Sequence, residues 1–120
     1  MSVSQELICL STLEQLKSDV GQALLPELVA LFISDSTENL DKLQLALQQQ
    51  DLQALILLSH TLKSVCATYG AQRCHHEARE LEMAARGGQW EGIAAGVNLL
   101  AQTLPPTMQA LELWCHQACC

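Results

Sequence analysis

The run Ser59-His60-Thr61-Leu62-Lys63-Ser64 places an imidazole, an ammonium and a hydroxyl within one helical turn of each other. If residues 52–69 form a helix, Leu55, Leu58, Leu62, Val65 and Tyr69 fall on one stripe at 3-4-3-4 spacing. At ~100° per residue, His60 then points almost directly away from that stripe. Ile56, Lys63, Ser64 and Ala67 share its face, because residues three, four and seven apart are helical neighbours. An exposed, uncoordinated imidazole with a cation one turn along and small side chains around it is suited to taking up a phosphoryl group. The neutral ring is the nucleophile, and an exposed histidine with a pKa of ~6.5 is largely neutral near pH 7.

The charge pattern around this histidine points the same way. The chain carries a formal charge of −7 over 120 residues, yet no Asp or Glu occurs from Leu52 to His76. Four of the six Lys and Arg residues (Lys63, Arg73, Arg79 and Arg86) lie in or just after that window. The sequence therefore predicts a neutral-to-positive patch on an acidic molecule, where an incoming phosphoryl group meets no like charge. The net charge argues against nucleic acid and against an anionic membrane surface as partners.

Helices must position these groups. Hydrophobic residues make up 49% of the chain and aromatics only 3%, so the apolar content is mostly Leu and Ala, both strong helix formers. Three prolines and six glycines cluster at a few points and leave long uninterrupted stretches. A short first helix is expected from Ser11 as N-cap, with Glu14 completing a capping box, to a stop near Gly21. A long second helix follows Pro26 to about Gln50, with Leu28, Phe32, Ser36, Leu40, Leu43 and Leu47 on one face. Asp51 is a natural N-cap for the helix carrying His60, and Gly70 its terminator. A fourth helix spans about Ala71 to Arg86, ending at Gly87-Gly88. A fifth starts near Gln89 with Ile93, Val97, Leu100 and Leu104 in register, and Pro105-Pro106 should kink or break it. Short links between long amphipathic helices imply an all-α, up-and-down antiparallel four-helix bundle with a short N-terminal cap helix, in one domain over residues 1–120.

The stretch from Phe32-Ile33-Ser34-Asp35 through Leu40, Leu43, Asp51, His60, Leu62-Lys63, Gly70-Ala71 and Leu81-Glu82 to Arg86 resembles histidine-containing phosphotransfer (HPt) domains. Within that family it looks most like the small free-standing proteins of bacterial phosphorelays, quorum-sensing types included. The resemblance implies that His60 accepts a phosphoryl group from a receiver-domain aspartate of a hybrid sensor histidine kinase and passes it to a response-regulator receiver. Lys63 would neutralise charge developing on the phosphoryl oxygens. Ser64 stands where many members have glycine, still small enough to admit a partner. Glu82 stands where several members have a glutamine bonded to the imidazole Nδ1; a carboxylate there would accept Nδ1–H and leave Nε2 free, or favour the protonated ring by its charge. Arg86 matches a basic position found in some members, where it would help with phosphate or docking.

No sequence feature supplies an ATP loop or a Mg²⁺ site, so the resemblance implies a phosphocarrier without kinase activity of its own. It needs no cofactor, Mg²⁺ being expected only on the partner receiver. Ile56, Leu57 and Ala67 could form an apolar collar for docking, or belong to the core. A monomer is expected, because one face is left free, and a cytoplasmic one, because the N-terminus lacks a basic and apolar leader.

Two other readings stand beside this one. A helical scaffold module would keep the bundle and leave the histidine idle. A metal-binding protein would use Cys74-His75-His76 or Cys115-His116 with Cys119-Cys120, but finger-type spacings are absent. Cys66, Cys74 and Cys115 are better explained as small core residues, Cys119 and Cys120 as frayed terminal thiols, and Trp90 and Trp114 as packing at bundle ends. The uncharged run from Gly92 to Leu111, with Gly92 and Gly96 spaced as in paired membrane helices, fits a buried bundle helix better than a membrane span.

Overall fold

A computed structural model describes residues 7–119, the side chain of Cys119 excepted. The expectation about a leader falls partly on residues 1–6, and that about the terminal thiols on Cys119 and Cys120, outside what is described. Among the described residues five helices follow in order: α1 Leu10–Val20, α2 Leu25–Gln49, α3 Leu52–Thr68, α4 Gln72–Arg86 and α5 Trp90–Cys119. Helix α2 packs on α3, α3 on α4, α4 on α5, and α5 closes back on α2. Links of two or three residues force each long helix to run against the one before it. At ~1.5 Å per residue, the 30 residues of α5 match the 44 Å long axis of the molecule.

Local chemistry sets the helix ends. The Asp51 carboxylate accepts the Ala54 amide at 3.2 Å, the N-cap expected for α3. After α3, Gly70 takes φ 65°, and its carbonyl accepts the Cys9 amide at 2.7 Å. A Cβ there would stand 3.0 Å from the Cys9 carbonyl oxygen and 3.2 Å from Leu13. Glycine at this turn therefore lets the N-terminal segment dock beneath α3 and α4. The first helix begins two residues earlier than expected: Cys9 is its N-cap, no side chain caps it, and Ser11 lies inside the first turn.

The core consists largely of Leu, with Ala and Cys filling narrow places between helices. Cys66, Cys74 and Cys115 are buried in it, as expected. Ile93, Val97, Leu100 and Leu104 of α5 are all at most 1% exposed. Gly96 of α5 faces Leu81 and Gly92 faces Ala84, so the two glycines bring α5 close to α4 inside the bundle. Among the described residues, no helix is long and apolar enough to cross a membrane.

The break expected at Pro105-Pro106 does not occur, and α5 runs through both residues. Two amide donors are lost, but their would-be acceptors belong to half-buried Ala101 and exposed Gln102, and both prolines are exposed. Those carbonyls can be hydrated, while buried Thr103, Leu104, Thr107 and Leu111 hold the helix on the core.

In α3 the buried seam is Leu55, Ser59, Leu62 and Cys66, whereas Leu58, Val65 and Tyr69 are half-buried. The seam centre lies about 50° round the helix from the expected stripe. Leu28, Leu40 and Leu47 of α2 are likewise half-buried, displaced from the seam by Val29 and Ala46. The buried Ser59 hydroxyl donates back to the Leu55 and Ile56 carbonyls at 2.7 and 3.1 Å.

Candidate functional site

The rotation of α3 tips His60 off the pole of the helix and toward α4. Its side chain remains 53% exposed. On α4, Cys74, Ala78, Leu81 and Ala85 form the buried seam, and two carboxylates flank it on opposite sides. Glu77 turns toward α5, where it accepts from Thr103 Oγ1 at 3.1 Å, and burial pushes its carboxyl above the ordinary range. Glu82 turns toward α3 and meets the histidine.

Glu82 gathers three basic side chains. Its Oε1 lies 2.8 Å from Lys63 Nζ. Its Oε2 accepts from Arg86 Nε at 3.0 Å and Arg86 Nη2 at 2.8 Å, and lies 3.1 Å from His60 Nδ1. The Glu82 side chain is only 7% exposed, so these partners replace most of its water. Hydrogen bonds from Lys63, then Arg86, with a smaller contribution from His60, hold its carboxyl down to about 2. It is therefore ionised at neutral pH and can only accept. The neutral imidazole must then carry its proton on Nδ1, which leaves the Nε2 lone pair unprotonated.

The sequence expectation of an acid-free patch is thus corrected: the fold inserts Glu82 into it from 22 residues further along the chain. Lys63 is correspondingly drawn in, with its side chain only 28% exposed. Its backbone is held as well, since its carbonyl accepts from His75 Nδ1 at 2.9 Å. His75 had no signature in the sequence as a support for this turn. Ser64 is exposed, and its hydroxyl donates to the His60 carbonyl at 3.3 Å, bracing the backbone that carries the imidazole.

Beside the imidazole is an open hollow of about 410 Å³, lined by Asp51, Gln53, Ala54, Ile56, Leu57, His60 and Arg86. Leu57 is 66% exposed and Ala67 exposed, whereas Ile56 packs partly against the core. The collar around His60 is therefore part surface and part core. A larger apolar groove of about 900 Å³ lies elsewhere, between Pro26–Ser34 of α2 and Gln109–His116 of α5. Among the described residues, no three His, Cys, Asp or Glu side chains gather so as to hold a metal ion. The arrangement at His60 is instead that of an oriented nucleophile: one nitrogen fixed by a carboxylate, the other open, and two cations alongside.

Comparison with known proteins places the chain in a family. The family model described as Hpt domain matches residues 27–117. The phosphorelay protein LuxU of Vibrio cholerae is 30% identical over 112 residues, covering 93% of this chain and 99% of that protein. LuxU of Vibrio vulnificus is 29% identical over 109 residues, covering 91% and 95%. The crystal structure of histidine-containing phosphotransfer protein B from Pseudomonas aeruginosa superposes with a TM-score of 0.88 at 25% identity, covering 92% of this chain and 96% of that one. The histidine-containing phosphotransfer domain of ArcB from Escherichia coli gives 0.83 at 19% identity, over 98% and 99%, a likeness of fold.

Proposed function

The chain belongs to the Hpt domain family and is a phosphorelay intermediate of two-component signalling, and from that premise we propose that His60 is the residue that carries the phosphoryl group. The observation behind this assignment is the Glu82 contact to His60 Nδ1, which leaves Nε2 as the nucleophile.

In the proposed step, the Nε2 lone pair attacks the phosphorus of a receiver phospho-aspartate. The N–P bond forms, the acyl O–P bond breaks, and the aspartate leaves as its carboxylate. The imidazole becomes cationic as it does so, and Glu82 stands against its Nδ1–H to stabilise that charge. Lys63 faces the equatorial phosphoryl oxygens, and Ser64 leaves the approach clear. Transfer onward to a second receiver is the same step reversed. Mg²⁺ and the initial ATP chemistry belong to the partners, so this chain carries phosphoryl groups and does not generate them. The partners are the receiver domains of a hybrid sensor kinase and of a response regulator, the carrier acts in the cytoplasm as a monomer, and neither nucleic acid nor a membrane takes part.

The test is incubation with a phosphorylated receiver domain. Wild-type protein should acquire a label that is acid-labile and alkali-stable, and His60→Gln should acquire none. Label on His60→Gln would remove His60 as the acceptor. No label on wild type from any receiver offered would favour a scaffold with an idle histidine.

A further inference from the structure

Among the described residues, Arg86 joins this cluster through Glu82 alone. A basic residue at the rim of a phosphoryl-transfer site invites assignment to the phosphoryl group itself. The geometry points elsewhere: Arg86 places both Nε and Nη2 on a single oxygen, Glu82 Oε2, the same atom that faces His60 Nδ1. We propose that Arg86 is a positioning residue that acts on His60 through Glu82, offsetting the carboxylate charge and so loosening its hold on the imidazole proton.

The reasoning is electrostatic. A carboxylate beside Nδ1 has two opposed effects on transfer. It stabilises the cationic phospho-imidazole, but before transfer it stabilises imidazolium equally well, and imidazolium has no lone pair to attack with. A neutral acceptor at this place would avoid that conflict; Glu82 does not. In this chain Lys63 takes Oε1 and Arg86 takes Oε2, so one negative charge is shared by two positive ones. Three N–H groups converge on Oε2, more than its two in-plane lone pairs can serve fully. The pull on the imidazole proton is weakened accordingly. No other charged group is hydrogen-bonded or ion-paired with His60 among the described residues. Lys63 is on its own helix, Glu82 and Arg86 are on α4, and α2, which also packs on α3, contributes none; Asp51 lines the same hollow.

Removing Arg86 therefore has a pH-dependent signature. With the carboxylate less compensated, protonation of His60 competes at higher pH. The proposal rests on His60 being the acceptor, and its test uses phosphoramidate, a small donor that needs no docking surface. Attack by Nε2 forms the N–P bond and expels ammonia. Rates for Arg86→Ala are divided by wild-type rates at each pH, so that ionisation of the donor cancels. The ratio should be about 0.1–0.3 near pH 6 and should rise to one or above by pH 9. Arg86→Lys should recover part of the low-pH rate, and Glu82→Gln combined with Arg86→Ala should remove the pH dependence of the ratio.

A ratio below one and flat with pH would mean that Arg86 holds the phosphoryl group directly, and would overturn the proposal. A flat ratio of one would also overturn it. Helix content of Arg86→Ala by circular dichroism identifies unfolding, in which case the Arg86→Lys profile decides by the same criterion. His60→Gln run in parallel separates the two levels: label on that variant sinks the acceptor assignment, while its loss alongside a flat Arg86→Ala ratio sinks only the role of Arg86.

Discussion

His60 Nδ1 and Glu82 Oε2, 22 residues apart in sequence, stand 3.1 Å apart across the α3–α4 interface. This contact orients the imidazole, and the same carboxylate ties α4 to α3 through Lys63. The site and the stability of the bundle are consequently linked at one residue.

That link has a definite pH dependence. The Glu82 carboxyl is held down to about 2, first by Lys63 and then by Arg86, so folding favours its ionised form. Its contribution to stability is fully present above the ordinary carboxylate value of ~4.3 and is lost as pH falls from there through about 2. Glu82→Gln should be less stable than wild type at pH 7, and the gap should close between about pH 4.5 and 2. Glu77, whose carboxyl is shifted upward by burial, is common to both proteins and cancels in the difference. Urea denaturation of both proteins from pH 2 to 7 measures this gap; a gap independent of pH would show that Glu82 is not held ionised by the fold.

In the proposed mechanism Lys63 has two tasks that one variant can separate. It neutralises Glu82 through Oε1, and in the proposed step it also stabilises the phosphoryl oxygens. Lys63→Ala should keep normal helicity and slow transfer from a phosphorylated receiver by about 10- to 100-fold. If it acts only by neutralising Glu82, the deficit should vanish well above neutral pH. If it also meets the phosphoryl oxygens, a deficit should persist at pH 9, which is the expected outcome. Unchanged rates at every pH would take Lys63 out of the mechanism.

Much of this site was legible in the sequence because its punctuation is strong. Asp51 caps α3, Gly70 ends it, and Gly87-Gly88 end α4, so His60, Lys63 and Arg86 fall at definable places on their helices. Helix orientation was less legible. Leu58 and Val65 suit a buried stripe better by composition than Ser59 and Cys66, yet tight approach between helices selects the smaller pair. With α3 rotated in that way, His60 turns toward α4, and Glu82 reaches a patch that is acid-free only along the chain. The continuity of α5 through Pro105-Pro106 was hidden for a related reason: a proline costs least where the carbonyls it orphans can face water, and exposure is not written in local sequence.

Gly70 and Gly88 offer a controlled comparison of what glycine does just past the C-terminal ends of α3 and α4. Both have left-handed backbones, φ 65° and 63°. A Cβ on Gly88 would meet nothing within 4 Å, whereas one on Gly70 would press on the Cys9 carbonyl and Leu13. Alanine should cost about 1 kcal/mol at Gly88, for the left-handed conformation alone. At Gly70 it should cost about 2–3 kcal/mol, because the docked N-terminal segment must also shift. The unfolded-state effect of replacing glycine is the same at both sites and drops out of the difference. Denaturant midpoints of the two variants give that difference directly. Because Gly70 lies at the far end of α3 from Asp51, Gly70→Ala should lower stability while leaving transfer through His60 unchanged in the folded fraction. Equal costs at the two glycines would mean that the Cys9–Leu13 segment is not tightly seated against the α3–α4 turn.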